Sequence, residues 1–256
     1  MKQRPPVRLL ALILTAWAAS ASGAFGQGGP PMITDDPGTP GDGHWEINVA
    51  TTVERRPGER VNEMPLLDLN YGIGDRVQLK YEGSWLVRKA AGEPSVSGLS
   101  DSLMGVKWRF YDAGEHQLAV STYPQLGFAN PGSRSADRGL TEGDTTLLLP
   151  LEFQKDLGLL EWNAEVGREF HRHGGDDIWL FGLVAGHSFG EKLELAAEIH
   201  GTANAGFGGS ELTANFGLRT RLAEHCTLLV SVGREFHNDF EPRLTLVGYL
   251  ALQFTR

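Results

Sequence analysis

The chain has 256 residues, 41% hydrophobic and 21% charged, a length that permits one large domain, and its 33 glycines fit many turns and strands better than long helices. A net charge of −9 argues against nucleic acid as a partner. The single cysteine, Cys226, excludes an internal disulfide.

Residues 1–26 have the three parts of a secretory signal: the basic residues Lys2, Arg4 and Arg8, an apolar run from Leu9 to Ala19, and small residues at 20–24. The apolar run is shorter than the ~20 residues a spanning helix needs. Cleavage removes three positive charges and takes the net charge from −9 to −9 − 3 = −12. Residues 27–43, QGGPPMITDDPGTPGDG, hold too much proline and glycine for a regular element and read as a lead-in on the periplasmic side. The Asp35-Asp36 pair within it reads as a solvated turn rather than a cation site.

From His44 onward the pattern alternates. Trp45, Ile47, Val49, Thr51 and Val53 share one phase of a strand and Glu46, Asn48, Ala50, Thr52 and Glu54 the other. A loop is expected over 55–62. The hairpin 65–87 repeats the motif, with Val77, Leu79, Tyr81 and Trp85 opposite Gln78, Lys80, Glu82 and Ser84 around the turn 72–75. A loop over 88–100 precedes alternation in 102–110, and a strand is expected over 116–127. After a long polar loop, strands are expected over 144–154, 160–171, 177–188, 192–200, 210–221, 226–236 and 243–254. The stretch 177–188 is apolar on both faces.

Short turns fall near 74, 113, 156, 190 and 223, and longer loops near 58, 94, 135, 174, 205 and 240. About twelve strands of roughly ten residues, with short and long connections alternating, predict an all-β fold: a closed antiparallel transmembrane β-barrel of an outer membrane. Closure is required because no open sheet edge survives in lipid. Trp45, Trp85, Trp162, Phe170, Phe236 and Phe254 lie near strand ends on the apolar phase, as interface girdles do.

Four segments, PPMITDDPGTPGDGHWEINV, PLLDLNYGIGDRVQLKYE, SGLSDSLMGVKWRF and LPLEFQKDLG, resemble the MetA-pathway of phenol degradation family. The resemblance covers most of the chain after the signal and implies an outer-membrane barrel of about twelve strands, distantly akin to channels for long-chain fatty acids and aromatic hydrocarbons. It implies no catalytic residue and no cofactor.

A charge on the lipid face costs about 2–4 kcal/mol near the midplane for Arg or Lys, so the polar phase is expected to face the lumen. That phase holds Glu46, Lys80, Glu82, Lys107, Arg109, Glu161, Glu165, Glu194, Glu198, Arg219 and Arg221, with Asp68 and Glu152. These groups either pair into a structural network or line a narrow polar path. Gly186-His187-Ser188-Phe189-Gly190 matches G-x-S-x-G, but a strand pattern follows where a nucleophile elbow needs a helix. GREFH occurs at 167–171 and at 233–237, beside His173, Asp176, Asp177, Asp239 and Glu241. It reads as a strand end used twice rather than a metal site, with Arg168 and Arg234 free to touch lipid phosphates.

The expected function is a non-enzymatic outer-membrane channel of a Gram-negative bacterium, for passive uptake of small hydrophobic or aromatic compounds. A structural or surface-binding barrel without transport and, below it, a lipid hydrolase are the alternatives. The expected partners are outer-membrane lipid and lipopolysaccharide, the assembly machinery and a small solute.

Overall fold

A computed structural model of the chain describes residues 28–114, 117–173, 175–240 and 242–256; the expected signal, 1–26, lies outside them. The strands are β1 Trp45–Arg56, β2 Glu59–Ile73, β3 Val77–Ala90, β4 Val96–Leu99, β5 Ser102–Asp112, β6 Ala119–Thr122, β7 Gln125–Phe128, β8 Thr146–Asp156, β9 Glu161–His171, β10 Ile178–Phe189, β11 Leu193–Asn204, β12 Ser210–Ala223, β13 Cys226–Asn238 and β14 Leu246–Thr255.

All pairings are antiparallel. β4 and β5 both pair with β3 and form one stave, and β6 and β7 both lie between β5 and β8 and form another. β1 pairs with β14 from Glu46↔Thr255 to Arg55↔Leu246, which closes a barrel of twelve staves. Trp45 N–H donates to the Arg256 carbonyl at 2.7 Å and Arg256 N–H to the Trp45 carbonyl at 3.0 Å, so the start of β1 and the C-terminus meet at the end that carries the short turns.

Alternation sets which face is which. Leu183, Leu195, Ile199 and Leu250 are 42–51% exposed on the outer face. Asn48, Asp68, Asn70, Gln78, Asn163 and Asn215, on the opposite phase, are buried. The six aromatics expected at the girdles all fall on the outer phase, with Trp45, Trp162 and Phe254 toward the short-turn end and Trp85, Phe170 and Phe236 toward the other.

Three boundaries differ from the sequence reading. The loop expected over 55–62 is a two-residue turn, because Pro57 presets φ and Gly58 takes φ 79°, the geometry of a tight turn. The loop expected over 88–100 contains β4, which prolongs the β5 stave. The strand expected over 116–127 breaks at Tyr123-Pro124, since proline cannot donate to the ladder; Val106 N–H still reaches the Pro124 carbonyl at 3.0 Å.

Candidate functional site

Residues 28–43, expected on the periplasmic side, do not stay outside the barrel. From β1 backwards, residues 39–44 cross the short-turn rim, where Gly43 N–H reaches the Gly72 carbonyl at 3.1 Å and Gly74 N–H the Asp42 carboxylate at 2.8 Å. Residues 28–38 then run into the lumen. Met32, Thr34 and Asp36 are buried there, and Thr34 is fully so.

An irregular segment carries backbone groups that it cannot satisfy itself, and at membrane depth these need protein partners. The lumen wall supplies them. Arg219 donates to three successive carbonyls, those of Gly28, Gly29 and Pro30, the last at 3.0 Å. Glu198 accepts the N–H of Ile33 at 3.1 Å and of Thr34 at 2.5 Å, and Glu165 accepts that of Asp35 at 3.0 Å. Lys107 donates to the Asp36 carbonyl and to the Asp35 carboxylate at 2.8 Å, with its ammonium 4.7 Å from the Tyr123 ring centroid. Asp35 and Asp36 therefore do not form the solvated turn expected of them: they are held by the lumen wall. Burial would raise the Asp35 carboxyl, but Lys107 and Lys80 outweigh it and hold the group below its ordinary value.

Two wall glycines make room for the segment. A Cβ on Gly182 would overlap the Thr34 side chain, and one on Gly217 would overlap that of Met32. The apolar inner face of β10 follows from this, because it packs on the segment rather than on water.

The expected lumen residues fall into three groups. Lys107, Glu165, Glu198 and Arg219 hold the segment, and Glu194 backs Arg219 at 2.5 Å. Lys80 lies 3.0 Å from Glu82 and 3.5 Å from Asp68, away from those contacts. Glu46, Lys80, Arg109 and Glu161 border a cavity of about 470 Å³ between the segment and the short-turn end. At that rim Arg109 donates to the Asp75 carbonyl at 2.6 Å, and Arg221 lies on β12 two residues beyond Arg219. A second cavity of about 570 Å³ opens at the long-loop end, bordered by Asp101, Asp144, Glu169, His171 and Glu211.

The sequence reading placed Glu152 in the lumen, where it is fully buried 3.7 Å from Lys107, but read the segment that Lys107 holds as a periplasmic lead-in. The segment's signals were the inward glycine at 217 in an otherwise polar phase and, on β10, an inner face that is apolar around Gly182. The reading also missed an apolar patch on the inner wall, where Ala50, Leu66, Leu229 and Ala251 pack with Tyr249.

The two chemical motifs resolve locally. Gly186–Phe189 closes β10, and Gly190 turns directly into β11 with no helix. In the first GREFH copy His171 lies 3.0 Å from Glu169 and 3.4 Å from Asp144, while in the second Glu235 accepts the Leu244 N–H at 2.6 Å. Among the described residues no group of three or more His, Cys, Asp or Glu is placed to hold a metal ion.

A closed antiparallel barrel of twelve staves, apolar outside and polar inside, is the fold of outer-membrane channels and porins. The outer membrane channel of the COG4313 group from Pseudomonas putida F1 superposes with a TM-score of 0.70 at 14% identity, over 86% of this chain and 98% of that one. The NanC porin gives 0.58 at 9% identity over 82% and 99%, and the KdgM porin in complex with disordered oligogalacturonate gives 0.56 at 11% over 81% and 98%. No family model matches the sequence, and no curated protein matches it.

Proposed function

We propose that the protein is a channel of the Gram-negative outer membrane, with its short turns in the periplasm, and that residues 28–38 are its closure. The signal at 1–26 delivers the chain to the periplasm, and the barrel passes small hydrophobic or aromatic compounds without catalysis. One observation carries this reading. A segment held through noncovalent contacts occupies the lumen, and its residues Gly28, Gly29, Pro30, Asp35, Asp36 and Gly38 border the cavity of about 470 Å³ at the short-turn end. Removing that segment is expected to widen this path. The apolar inner patch around Leu66 and Leu229 supports an apolar solute, as does the resemblance to the phenol-degradation family.

The test compares the mature chain with a variant lacking 28–38, refolded into liposomes and planar bilayers. The variant is expected to conduct steadily and to admit a neutral aromatic alcohol, and the full chain to do so only in brief openings. A variant that neither conducts nor admits solute overturns the channel and leaves a structural barrel.

A further inference from the structure

Charge on the outer face of a membrane barrel is confined to its edges. At the long-loop edge, five adjacent strands carry four cations at one level. Arg60 on β2 lies directly opposite both Arg55 on β1 and Lys89 on β3. Arg55 lies opposite Leu246 on β14, and Arg234 on β13 follows the pair Gly233↔Val247, which sets it beside Leu246.

The row faces outward. The opposite phase contains Thr52 and Glu63, which bond at 2.9 Å inside the barrel, and Glu54, Arg56, Glu59 and Arg88, where Arg56 pairs with Glu54 at 3.2 Å and Arg88 with Glu59. Arg55, Arg60, Lys89 and Arg234 are all exposed. The side chains of these four make no ion pair or hydrogen bond with another described residue; the Arg55 carbonyl accepts from the Thr245 hydroxyl at 3.0 Å. Another outward arginine behaves differently: Arg168 on β9 pairs with Asp177 at 3.0 Å and lies over the rings of Phe170 and Trp179.

Like charges directly opposite on neighbouring strands repel, so this row opposes barrel stability unless an anion lies along it. With strands about 4.8 Å apart, four steps from Arg234 to Lys89 span about 19 Å, more than one phosphate covers. The next row toward the membrane centre on β1, β2 and β3 is Val53, Asn62 and Val87, followed by the exposed Met64 and Trp85. Charge above and apolar side chains below, at the edge of an aromatic girdle, match a lipid that bears phosphates on its headgroup.

We propose that this row docks a multiply phosphorylated glycolipid of the outer leaflet, of the lipopolysaccharide type. Arg55 and Arg60 fork onto phosphate oxygens, Lys89 and Arg234 flank them, and the acyl chains lie along Val53, Val87 and Met64. The proposal rests on the membrane orientation given above and is independent of whether the barrel conducts.

The test titrates the refolded mature chain with diphosphoryl lipid A and with the same lipid stripped of phosphate, following bound lipid by native mass spectrometry. The phosphorylated lipid is expected to bind at least about tenfold more tightly, with the difference shrinking as salt rises. The variant Arg55→Gln/Arg60→Gln/Lys89→Gln is expected to lose that difference, and Arg168→Gln to keep it. Should the triple variant fail to fold, Arg60→Gln alone is expected to weaken binding about threefold. Excess inorganic phosphate is expected to leave the lipid bound. Equal binding of both lipids, wild-type binding by the triple variant, an equal loss in Arg168→Gln, or displacement by inorganic phosphate would each overturn the proposal. Conductance measured on the same samples reads the channel hypothesis separately.

Discussion

Lys107→Met tests the closure at its most buried cation. The side chain is 2% exposed, and its ammonium donates to the Asp35 carboxylate at 2.8 Å and to the Asp36 carbonyl and lies 3.7 Å from Glu152. A hydrogen bond with one charged partner contributes about 1.5–3 kcal/mol, so losing both contacts to the segment costs at least about 3 kcal/mol of closure, roughly a 100-fold shift toward the open state. A segment withdrawn about 1% of the time would then be withdrawn about half the time. Methionine keeps the aliphatic stem against Tyr123, and Lys107→Met/Glu152→Gln keeps the wall free of an unpaired buried carboxylate. The assay is single-channel recording in planar bilayers, with heat-modifiable gel mobility confirming the barrel. Expected is a large rise in open probability with unchanged single-channel conductance. If Lys107→Met records as wild type while the chain lacking 28–38 conducts, Lys107 does not hold the closure and the energetic reasoning fails.

Gly182→Ala is expected to open the channel by overlap with Thr34, at about 1–3 kcal/mol, and adding Thr34→Gly to restore closure; recovery of conductance to the parent level checks the pair. Asp35 titrates lower in the closed state than when released, so its contribution to closure is complete above its ordinary value of 3.8 and lost as pH falls through the depressed value. Through Asp35, open probability is therefore expected to rise in strongly acid solution, and Asp35→Asn to be partly open at neutral pH with that acid response reduced. Leu183→Arg places a charge on the lipid face and is expected to lower refolding stability by about 2–4 kcal/mol if it lies near the midplane, read from urea midpoints in liposomes.

The barrel was legible in the sequence because each membrane-depth strand obeys one rule. Gln78 and Ser84 are buried, while Leu79, Tyr81 and Trp85 are 39–43% exposed, in the phases that alternation assigns. The rule weakens where the environment is no longer oil on one side and water on the other. Beyond the membrane edge both faces are wet, so 54–60 look like a loop although Arg55 and Arg60 still alternate with Glu54 and Glu59. Inside the lumen the rule says only that a side chain points inward, not what it meets. Glu165 and Glu198 were readable as inward, but their partners are main-chain N–H groups more than a hundred residues away. A dense run of proline and glycine reads as a tether unless the complementary glycines at 182 and 217 are recognised.

The composition of the segment explains the order of charges on the wall and yields a selectivity. Pro30 and Pro31 lack N–H groups, so residues 28–31 are rich in acceptors and meet Arg219; Ile33, Thr34 and Asp35 present N–H groups and meet Glu198 and Glu165. Withdrawal affects the two signs unequally. Arg219 keeps Glu194 at 2.5 Å and Lys107 keeps Glu152 at 3.7 Å, whereas Glu165 loses its acceptance from Asp35 N–H and Glu198 loses two N–H donors while keeping Asn215 at 3.1 Å. Of the inward charges expected from the sequence, Glu46, Asp68, Glu82, Glu152, Glu161, Glu165, Glu194 and Glu198 are eight acids and Lys80, Lys107, Arg109, Arg219 and Arg221 five bases, and the inner phase nearer the long loops adds Glu54, Glu59 and Glu63 against Arg56 and Arg88, so acids outnumber bases in the open lumen. A narrow lumen with low-dielectric walls concentrates counter-ions, so the chain lacking 28–38 is expected to pass potassium in preference to chloride. In a potassium chloride gradient its reversal potential should take the cation sign and move toward zero in Glu165→Gln/Glu198→Gln. A chloride-signed potential would mean that Lys80, Lys107 and Arg219, rather than the released carboxylates, dominate the opened path.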